Sequence, residues 1–305
     1  MTHATSRRDF LALLAALPAT GLAADVALAQ AGMPSRRIPG HAESLPVIGL
    51  GSSKVVEESA KNGDGPLRQE LRTLVAHGGK VVDTWPRNPD NDARFGRIIN
   101  EPELRDKLFV TTKIDRVGKD AGIEQLRQAQ RLYGRKVLDL AQIFSLTDVE
   151  THWPTLRAFK DAGEARYIGV TVSEPRRHAD LEAFLRREKP DFIQTNYSIT
   201  ERQSEDRILP LAAERGVGVL INRPFMNGTY FRRLEKTPLP PWAAEFGAVS
   251  WAQFSLKYIL ANQALTAILT ETGDPEHMEE NARAAFGPLP DDAARAKMRA
   301  FMDAL

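Results

Sequence analysis

Short apolar runs alternate with longer amphipathic segments over most of the chain, and turn residues separate them. The apolar runs are rich in β-branched residues and lack alternating polar positions, which is typical of strands buried on both faces of a parallel sheet. Strands are predicted at Val47–Gly51, Lys80–Thr84, Leu108–Ile114, Leu138–Phe144, Tyr167–Val172, Phe192–Tyr197, Val217–Asn222 and Leu265–Thr270. Helical patterns between them include Leu67–Ala76, Gly122–Leu132, Trp153–Asp161, Ala179–Arg187, Asp206–Glu214 and Ser250–Leu260.

This succession of strands and helices over about 250 residues predicts an α/β fold, a single (β/α)8 (TIM) barrel. A doubly wound sheet is the alternative, but it usually has fewer strands and a glycine-rich first turn. The nearest match to that turn, Gly49-Leu50-Gly51, lacks the third glycine, and we expect no helix to begin directly after it. The proline-rich segment Pro224–Phe246 follows the seventh strand and is expected to be a long loop that serves the site.

The first 29 residues have a different character from the rest. Paired arginines in Ser6-Arg7-Arg8-Asp9-Phe10-Leu11 precede a short run rich in Ala and Leu, and Ala27-Leu28-Ala29 has small residues at a cleavage position. This combination is typical of a twin-arginine (Tat) signal peptide. An amphipathic first helix is the alternative, but the apolar residues follow no helical period. We therefore expect residues 1–29 to be removed and residues 30–305 to form one barrel domain in the bacterial periplasm.

The composition narrows the choice of partners. The chain has 41 basic and 40 acidic residues, a formal net charge of +1, so it has no overall field that attracts nucleic acid or an anionic membrane. We expect neither as a partner of the mature chain, whereas a small-molecule ligand or substrate and the twin-arginine export machinery are expected. There is no cysteine and no His/Asp/Glu group with metal-ligand spacing, so no metal is expected.

Candidate chemistry lies where the predicted strands end, because active sites of (β/α)8 barrels form at the C-terminal face. The residues at these ends are Gly51, Ser52, Asp83, Lys113, Phe144, Thr171, Gln194, Asn222, Arg223, Glu271 and Thr272. Amides are unusual inside a barrel strand, so Gln194 and Asn196 are expected to contact a ligand rather than to be satisfied within the core.

Several motifs, in their order and spacing, resemble the aldo/keto reductase family between about Leu45 and Pro290. They are LPVIGLG at 45–51, VDT at 82–84, FVTTK at 109–113, RYIGV at 166–170, QTNYS at 194–198, and PEH at 275–277 followed by Asn281. The resemblance implies an oxidoreductase that reduces small carbonyl compounds with hydride from NAD(P)H. It also implies a tetrad of Asp, Tyr, Lys and His, in which the Tyr protonates the carbonyl oxygen.

Two tetrad positions are retained and two are substituted. Asp83 and Lys113 match the family's Asp and Lys, whereas Asn88 stands at the Tyr position and Phe144 at the His position. Neither replacement has a proton to give near neutral pH, so the site is degenerate and standard reductase activity is not expected.

Two other side chains are candidates for a replacement acid. His152 follows the fourth predicted strand and is the first of them, although a capping or surface role is the competing interpretation. Tyr197 is the second, and a packed position is its competing interpretation.

The resemblance also implies positions that contact a dinucleotide. Glu271 stands where the family has a Lys that pairs with the adenosine 2′-phosphate, and Asn222 replaces the aromatic residue that stacks on nicotinamide. The expected cofactor residues are Gly51, Ser52, Thr171, Gln194, Asn222, Arg223, Glu271, Thr272, His277 and Asn281. A carboxylate repels a phosphate but accepts a hydrogen bond from a free ribose hydroxyl, so NAD is expected to bind at least as well as NADP.

Three functional hypotheses stay open. The first is an NAD(P)-linked oxidoreductase. The second is a catalytically lapsed barrel that serves as a ligand-binding or scaffold protein, with Asp83 and Lys113 as a structural ion pair. The third is a cofactor-free lyase or isomerase that uses Lys113.

The export signal leads to a direct prediction. If Arg7 and Arg8 form the recognition element, replacing both with lysine will leave the protein in the cytoplasm with its signal uncleaved. Cell fractionation and the mass of the chain check this, and a doubly substituted protein still processed near Ala29 would contradict it.

Overall fold

The computed structural model describes residues 32–85 and 88–305 of this chain. The predicted export signal at residues 1–29 therefore lies outside the described residues. From Met33 to Leu305 the chain forms one compact unit.

The compact unit is a closed barrel of parallel strands, so the predicted (β/α)8 fold is confirmed. An antiparallel hairpin of β1 (Ser35–Arg37) and β2 (Ser44–Pro46) precedes the barrel. The barrel strands are β3 (Ile48–Gly51), β4 (Val81–Asp83), β5 (Phe109–Ile114), β6 (Leu138–Ile143), β7 (Ala165–Thr171), β8 (Phe192–Asn196), β9 (Gly218–Asn222) and β10 (Ala267–Thr270). Each predicted strand is present, with small shifts at its ends, and β10 closes the barrel by pairing with both β3 and β9.

Helices follow the strands and cover the outside of the barrel. They are α1 (Ser53–Asn62), α2 (Gly65–Ala76), α3 (Pro89–Ile99), α4 (Lys119–Leu132), α5 (Val149–Asp161), α6 (His178–Arg187), α7 (Ile208–Arg215), α8 (Thr229–Leu234), α9 (Trp251–Leu260), α10 (Pro275–Arg283) and α11 (Asp292–Asp303). Within residues 32–85 and 88–305, no helix has the length and apolar character needed to cross a membrane.

The hairpin and the starts of the barrel strands share one apolar cluster. Ile38 and Leu45 of the hairpin segment are fully buried together with Val81, Phe109 and Phe192, which lie at or near the starts of their strands. Burial of this apolar surface favours a filled interior at the N-terminal end of the barrel. The open, polar end is therefore the C-terminal one, where the sequence places its candidate chemistry.

The start of α1 corrects one expectation. No helix was expected directly after Gly51, yet α1 begins at Ser53. The reason is a distant carboxylate, since Oε1 of Glu271 accepts hydrogen bonds from Ser53 Oγ at 2.5 Å and from the Lys54 backbone N–H at 2.6 Å. An acceptor at a helix N-terminus satisfies amides that have no partner within the helix. A carboxylate so far along the chain leaves no local signal.

Candidate functional site

The strand ends surround one large pocket of about 710 Å³ at the C-terminal end of the barrel. Its wall includes every expected cofactor residue except Asn281. Those that line it are Gly51, Ser52, Thr171, Gln194, Asn222, Arg223, Glu271, Thr272 and His277. Asn281 is buried on α10 and is not part of the wall. Asp83, Lys113 and Phe144 also line the pocket, so the structure brings most of the predicted site together.

Lys113 and Asp83 form a buried ion pair at the floor of the pocket. Nζ of Lys113 donates to both carboxylate oxygens of Asp83 at 2.6 Å and to the backbone oxygen of Thr84 at 2.7 Å. The lysine side chain is 4% exposed and the aspartate side chain 14%. Because an ammonium group has three protons, these acceptors use its full donor capacity.

The carboxylate of Asp83 has further partners on neighbouring strands. Thr111 Oγ1 of β5 donates to Oδ1, and Gln194 Nε2 of β8 donates to Oδ2 at 3.0 Å. Several donors on one carboxylate offset the cost of its burial. Gln194 thus lines the pocket as predicted, and its amide also supports the floor.

An aromatic pair lies beside this floor. The rings of Phe144 and Trp85 have centroids 4.1 Å apart and planes inclined by 33°, and both side chains line the pocket. The indole N–H of Trp85 donates to Asp115 Oδ2 at 3.3 Å. Phe144, predicted to stand at the family's His position, is therefore part of an apolar wall. Sequence reasoning missed Trp85 because the family's motif points to Asn88, although Trp85 lies only two residues after a strand end.

Asn88 lies outside the pocket wall. It is exposed and caps α3, where its Oδ1 accepts a hydrogen bond from the Asp90 backbone N–H at 2.8 Å. Pro89 occupies the first helical position, as is common after such a cap. Asn88 thus starts a helix and does not line the pocket that contains the ion pair.

No tyrosine lines the pocket. All five tyrosines of the chain belong to the described residues, and the lining of the pocket includes none of them. They are Tyr133, Tyr167, Tyr197, Tyr230 and Tyr258, and each is buried. Burial raises the pKa of Tyr133, Tyr197 and Tyr230 well above the ordinary tyrosine value. Among the described residues that line the pocket, no tyrosine is therefore available as a proton donor.

The candidate replacement acids have structural roles. His152 is fully buried in α5, where Nε2 lies 2.6 Å from the Arg116 backbone oxygen, and it fills the space beside Gly122. It is neither at the surface nor at the pocket. The hydroxyl group of Tyr197 donates to Glu205, as expected for a packed residue.

Asn196 also differs from expectation. Its Oδ1 lies 2.9 Å from His178 Nε2, and its Nδ2 donates to Glu201 Oε2 at 2.6 Å. The amide is satisfied within the core, so the expectation of a ligand contact at Asn196 is wrong.

The residues after β10 form the opposite end of the pocket. Glu271 is tied to α1 as described above. Thr272 Oγ1 accepts from the Asp274 backbone N–H at 3.1 Å, and His277 is exposed, with Nδ1 3.9 Å from Asp274 Oδ2. Besides the exposed His277 and Lys54, this end of the pocket presents the carboxylate of Glu271 and the hydroxyl group of Thr272.

Asn222 and Arg223 form the wall at the end of β9. Asn222 Nδ2 donates to the Val172 backbone oxygen at 2.9 Å, while its buried Oδ1 has no hydrogen-bond partner in the described chain. Arg223 has a left-handed φ of 53° and donates from its guanidinium to the Ser173 backbone oxygen at 2.6 Å. A buried acceptor without a partner at a pocket wall is suited to a ligand N–H group.

Backbone strain concentrates in the two loops beside this wall. Among the described residues, left-handed φ values outside glycine occur only after β6 and after β9, at Ser145, Leu146, Asp148, Arg223, Met226 and Asn227. Such conformations cost on the order of 1 kcal/mol each and tend to cluster at functional sites. The second of these loops leads into Pro224–Phe246, where a long loop was predicted but the structure has helix α8, and Phe225, Asn227 and Phe231 of this segment line the pocket.

A buried carboxyl group lies close to the β10 end. Glu70 of α2 is fully buried, and neither of its carboxyl oxygens has a hydrogen-bond partner in the described chain. Burial raises its pKa to about 8, and the nearby carboxylates of Glu58, Asp274 and Glu271 add to this effect. Glu70 is therefore mainly protonated at neutral pH, and an additional negative charge here is unfavourable.

Comparisons with known proteins agree with this architecture. The model of the aldo/keto reductase family matches residues 47–298, and the chain belongs to that family. Among solved structures, the chain is similar to aldo-keto reductase AKR11C1 from Bacillus halodurans in its holo form, with 18% identity, a TM-score of 0.71, and coverage of 88% of this chain and 96% of that one.

A second similar structure is an aldo/keto reductase from Klebsiella pneumoniae in complex with NADP and acetate. It shows 20% identity, a TM-score of 0.69, and coverage of 86% of this chain and 93% of that one. An aldo-keto reductase from the same organism in complex with NADPH has 20% identity, a TM-score of 0.70, and coverage of 88% and 95%. At these identities the similarity shows the fold.

Glu70 gives a prediction about stability. Between about pH 4.5 and pH 8 the carboxyl group of Glu70 is protonated in the folded state but ionised in the unfolded state. The free energy of unfolding should therefore fall as pH rises through this range. Glu70→Gln cannot ionise, so it should be more stable than wild type at pH 9 by about 2–4 kcal/mol, with little difference at pH 5. Urea unfolding at the two pH values measures this. An equal difference at both would show that packing, and not ionisation, is responsible.

Proposed function

We propose that this protein binds a nicotinamide dinucleotide in the pocket, with NAD bound at least as well as NADP, and that standard carbonyl reduction is not its reaction. The observation that carries the proposal is that nine of the expected cofactor residues line one pocket. The floor of this pocket contains the ion pair of Asp83 and Lys113, and no tyrosine is among the described residues that line it. The Klebsiella pneumoniae relatives bind NADP and NADPH, and this supports a dinucleotide in the same fold.

Several features support binding of a dinucleotide. Asn222 Oδ1 is an unused acceptor for an amide N–H group, and the pocket volume of about 710 Å³ lies in the range of small-molecule and cofactor sites. Gly51 leaves open space, since a Cβ atom there would have only ordinary contacts, the nearest at 3.6 Å. Strained loops after β6 and β9 are costly to keep unless they serve binding.

The acidic end supports the preference for NAD. Glu271, Glu58 and Asp274 lie close enough to Glu70 to raise its pKa, so the β10 end of the pocket is rich in carboxylates. A 2′-phosphate placed there meets repulsion, whereas a ribose hydroxyl group finds acceptors.

The missing acid argues against carbonyl reduction. A carbonyl oxygen that receives electrons must gain a proton or strong donors, and Lys113 already donates to Asp83 and Thr84. These hydrogen bonds of Lys113 also argue against its use as the base of a lyase or isomerase.

Dinucleotide binding without turnover, in a lapsed barrel, is the second candidate function, and the aromatic wall of Phe144 and Trp85 favours it. For either function we propose export to the periplasm on the basis of residues 1–29.

Calorimetric titration with NADH and NADPH tests binding. The purified protein should bind NADH, and Gly51→Leu should abolish binding because its side chain fills the pocket without a backbone clash. The control variant is Val117→Ser, an exposed change outside the pocket, which should leave binding intact. Failure of the wild type to bind either dinucleotide would refute the proposal.

Glu271 is predicted to set the preference between cofactors. Glu271→Lys should improve NADPH binding relative to NADH by about 5- to 100-fold, or about 1–3 kcal/mol, through a new charge-assisted hydrogen bond. It should also destabilise the fold by about 1 kcal/mol, because α1 loses its carboxylate partner. Glu271→Gln keeps an acceptor without the charge and serves as the matched variant. A wild type that already binds NADPH much more tightly than NADH would contradict the prediction.

The lack of a proton donor predicts that reactive aldehydes are poor substrates. NADH oxidation by the wild type should stay at background with such aldehydes, since general acid catalysis is typically worth about 10²–10⁴-fold. Absorbance of NADH measures the rate. An aldehyde-dependent rate that is strong in the wild type and lost in Lys113→Met would show that the retained pair performs carbonyl chemistry after all.

A further inference from the structure

A carboxyl group interrupts the apolar stripe of α2. Leu67, Leu71 and Leu74 are fully buried at helical spacing, and Glu70 is fully buried in the same stripe. Neither of its carboxyl oxygens has a hydrogen-bond partner in the described chain. An apolar side chain at this position would avoid the cost of burying an unpartnered carboxyl group. Packing alone therefore does not explain Glu70.

Three carboxylates act on Glu70 from neighbouring elements. Glu58 belongs to α1, Glu271 follows β10, and Asp274 caps α10. All three lie close enough to disfavour a negative charge on Glu70. Both α1 and α10 pack against α2, and β3, which also contacts α2, has no ionisable side chain.

Cationic side chains of these elements do not compensate for the carboxylates. Arg68 of α2 donates to Glu101 Oε1 at 2.7 Å, and Arg72 pairs with Glu103. The lysines of α1, Lys54 and Lys61, are exposed. On α10, His277 is exposed with Nδ1 3.9 Å from Asp274 Oδ2, and Arg283 is exposed and pairs with Glu279. Within the described chain, none of these cations forms an ion pair with Glu70.

Two of the carboxylates also line the pocket. Glu58 and Glu271 are part of its wall, together with Thr272 and Gly273. A Cβ atom at Gly273 would lie 2.6 Å from Glu58 Oε2, so the carboxylate of Glu58 packs on this loop. Glu271 joins the loop to the start of α1 through the Lys54 backbone N–H. Glu70 therefore lies behind the β10 end of the wall, where α1, α2 and residues 271–274 meet.

We propose that a proton on Glu70 stabilises the β10 end of the pocket, and that its loss loosens residues 271–278 and weakens dinucleotide binding. This inference rests on the proposed dinucleotide binding. While Glu70 is neutral, it adds no charge behind the wall. Once ionised, it repels the carboxylates on α1, after β10 and at the start of α10. The diphosphate of a dinucleotide is also negative, so it binds better while Glu70 is neutral.

The direction of the pH effect follows from the buried position. Burial, with a contribution from the three carboxylates, raises the pKa of Glu70 to about 8. The group is therefore mainly neutral in the folded protein at pH 7 and mainly ionised at pH 9. If only the neutral form binds well, the affinity for NADH is about 10-fold lower at pH 9 than at pH 7. Binding at pH 8 is then accompanied by uptake of about half a proton.

Calorimetric titration with NADH at pH 7 and pH 9 tests the inference, and titration at pH 8 in two buffers of different ionisation enthalpy measures the proton uptake. The wild type should bind about 5- to 10-fold more weakly at pH 9. Glu70→Gln and Glu70→Met cannot ionise, so they should lose both the pH dependence and the uptake. The control is Glu103→Gln, a carboxylate outside the pocket that pairs with Arg72, which should behave like the wild type. Circular dichroism checks that each protein is folded at pH 9.

Hydrogen exchange measures the loosening without a ligand. The Met278 backbone N–H donates to the Asp274 backbone oxygen at 3.1 Å in the first turn of α10. At pH 9, amides of residues 271–278 should exchange faster in the wild type than in Glu70→Gln, and at pH 6.5 the two proteins should exchange alike. Comparison at one pH removes the effect of pH on the intrinsic exchange rate.

A second buried group titrates in the same range. Lys257 of α9 donates to the backbone oxygens of Phe286 at 2.6 Å and Pro288 at 3.2 Å, and burial lowers its pKa to about 8. Because α9 packs on α10, loss of the Lys257 proton is the competing cause of a pH effect there. The Glu70 variants distinguish the two causes, since they leave Lys257 unchanged.

Each outcome has a distinct meaning. An affinity for NADH that changes by less than about two-fold between pH 7 and pH 9 overturns the inference and leaves the proposed dinucleotide binding in place. A pH dependence that persists in both Glu70→Gln and Glu70→Met assigns the effect to another group and also overturns it. Equal hydrogen exchange in the wild type and Glu70→Gln at pH 9 refutes the loosening of residues 271–278. Absence of NADH binding to the wild type at both pH values refutes the proposed function together with the inference.

Discussion

The ion pair between Lys113 and Asp83 fixes the floor of the pocket. Lys113 on β5 uses all three ammonium protons on Asp83 and on the Thr84 backbone oxygen, and Gln194 on β8 donates to the same carboxylate. Removal of one partner leaves an uncompensated buried charge, which typically costs about 3–5 kcal/mol. Strands on different sides of the barrel are thereby joined at the end where the pocket opens.

The same contacts restrict what the pocket can do. A lysine whose protons are all donated within the floor adds little to a developing oxyanion, and the wall beside it is the aromatic surface of Trp85 and Phe144. At the opposite end, the carboxylate of Glu271 accepts hydrogen bonds from the start of α1, and the nearby carboxyl group of Glu70 is buried without a hydrogen-bond partner in the described chain. Additional negative charge is unfavourable beside these groups. Together these features support the proposed binding of a dinucleotide without a 2′-phosphate.

The barrel and its polar rim could be predicted because both depend on local sequence pattern. Apolar runs locate the strands, and the ends of parallel strands in a barrel meet at one face, which brings Asp83, Lys113 and Gln194 together. The position of Asn88 could not be predicted from the family motif, because an alignment of sequences does not show that this residue caps α3.

Other features depend on tertiary contacts that leave little trace in the sequence. The carboxylate that starts α1 comes from the far end of the chain, and Asn196 is satisfied by partners on other segments. Trp85 had a local signal, its position just after a strand end, but only the structure shows that its ring packs on Phe144.

The proposed function depends most on a dinucleotide that binds in this pocket with its nicotinamide ring at the end lined by Trp85. Excitation-energy transfer from tryptophan to reduced nicotinamide tests this directly, because the transfer falls steeply with distance. Addition of NADH should quench tryptophan emission and sensitise nicotinamide emission, and Trp85→Phe should reduce the transfer while NADH still binds, since the three other tryptophans are retained. Transfer that is undiminished in Trp85→Phe, or absent from the wild type while NADH binds, would place the nicotinamide elsewhere and contradict the account.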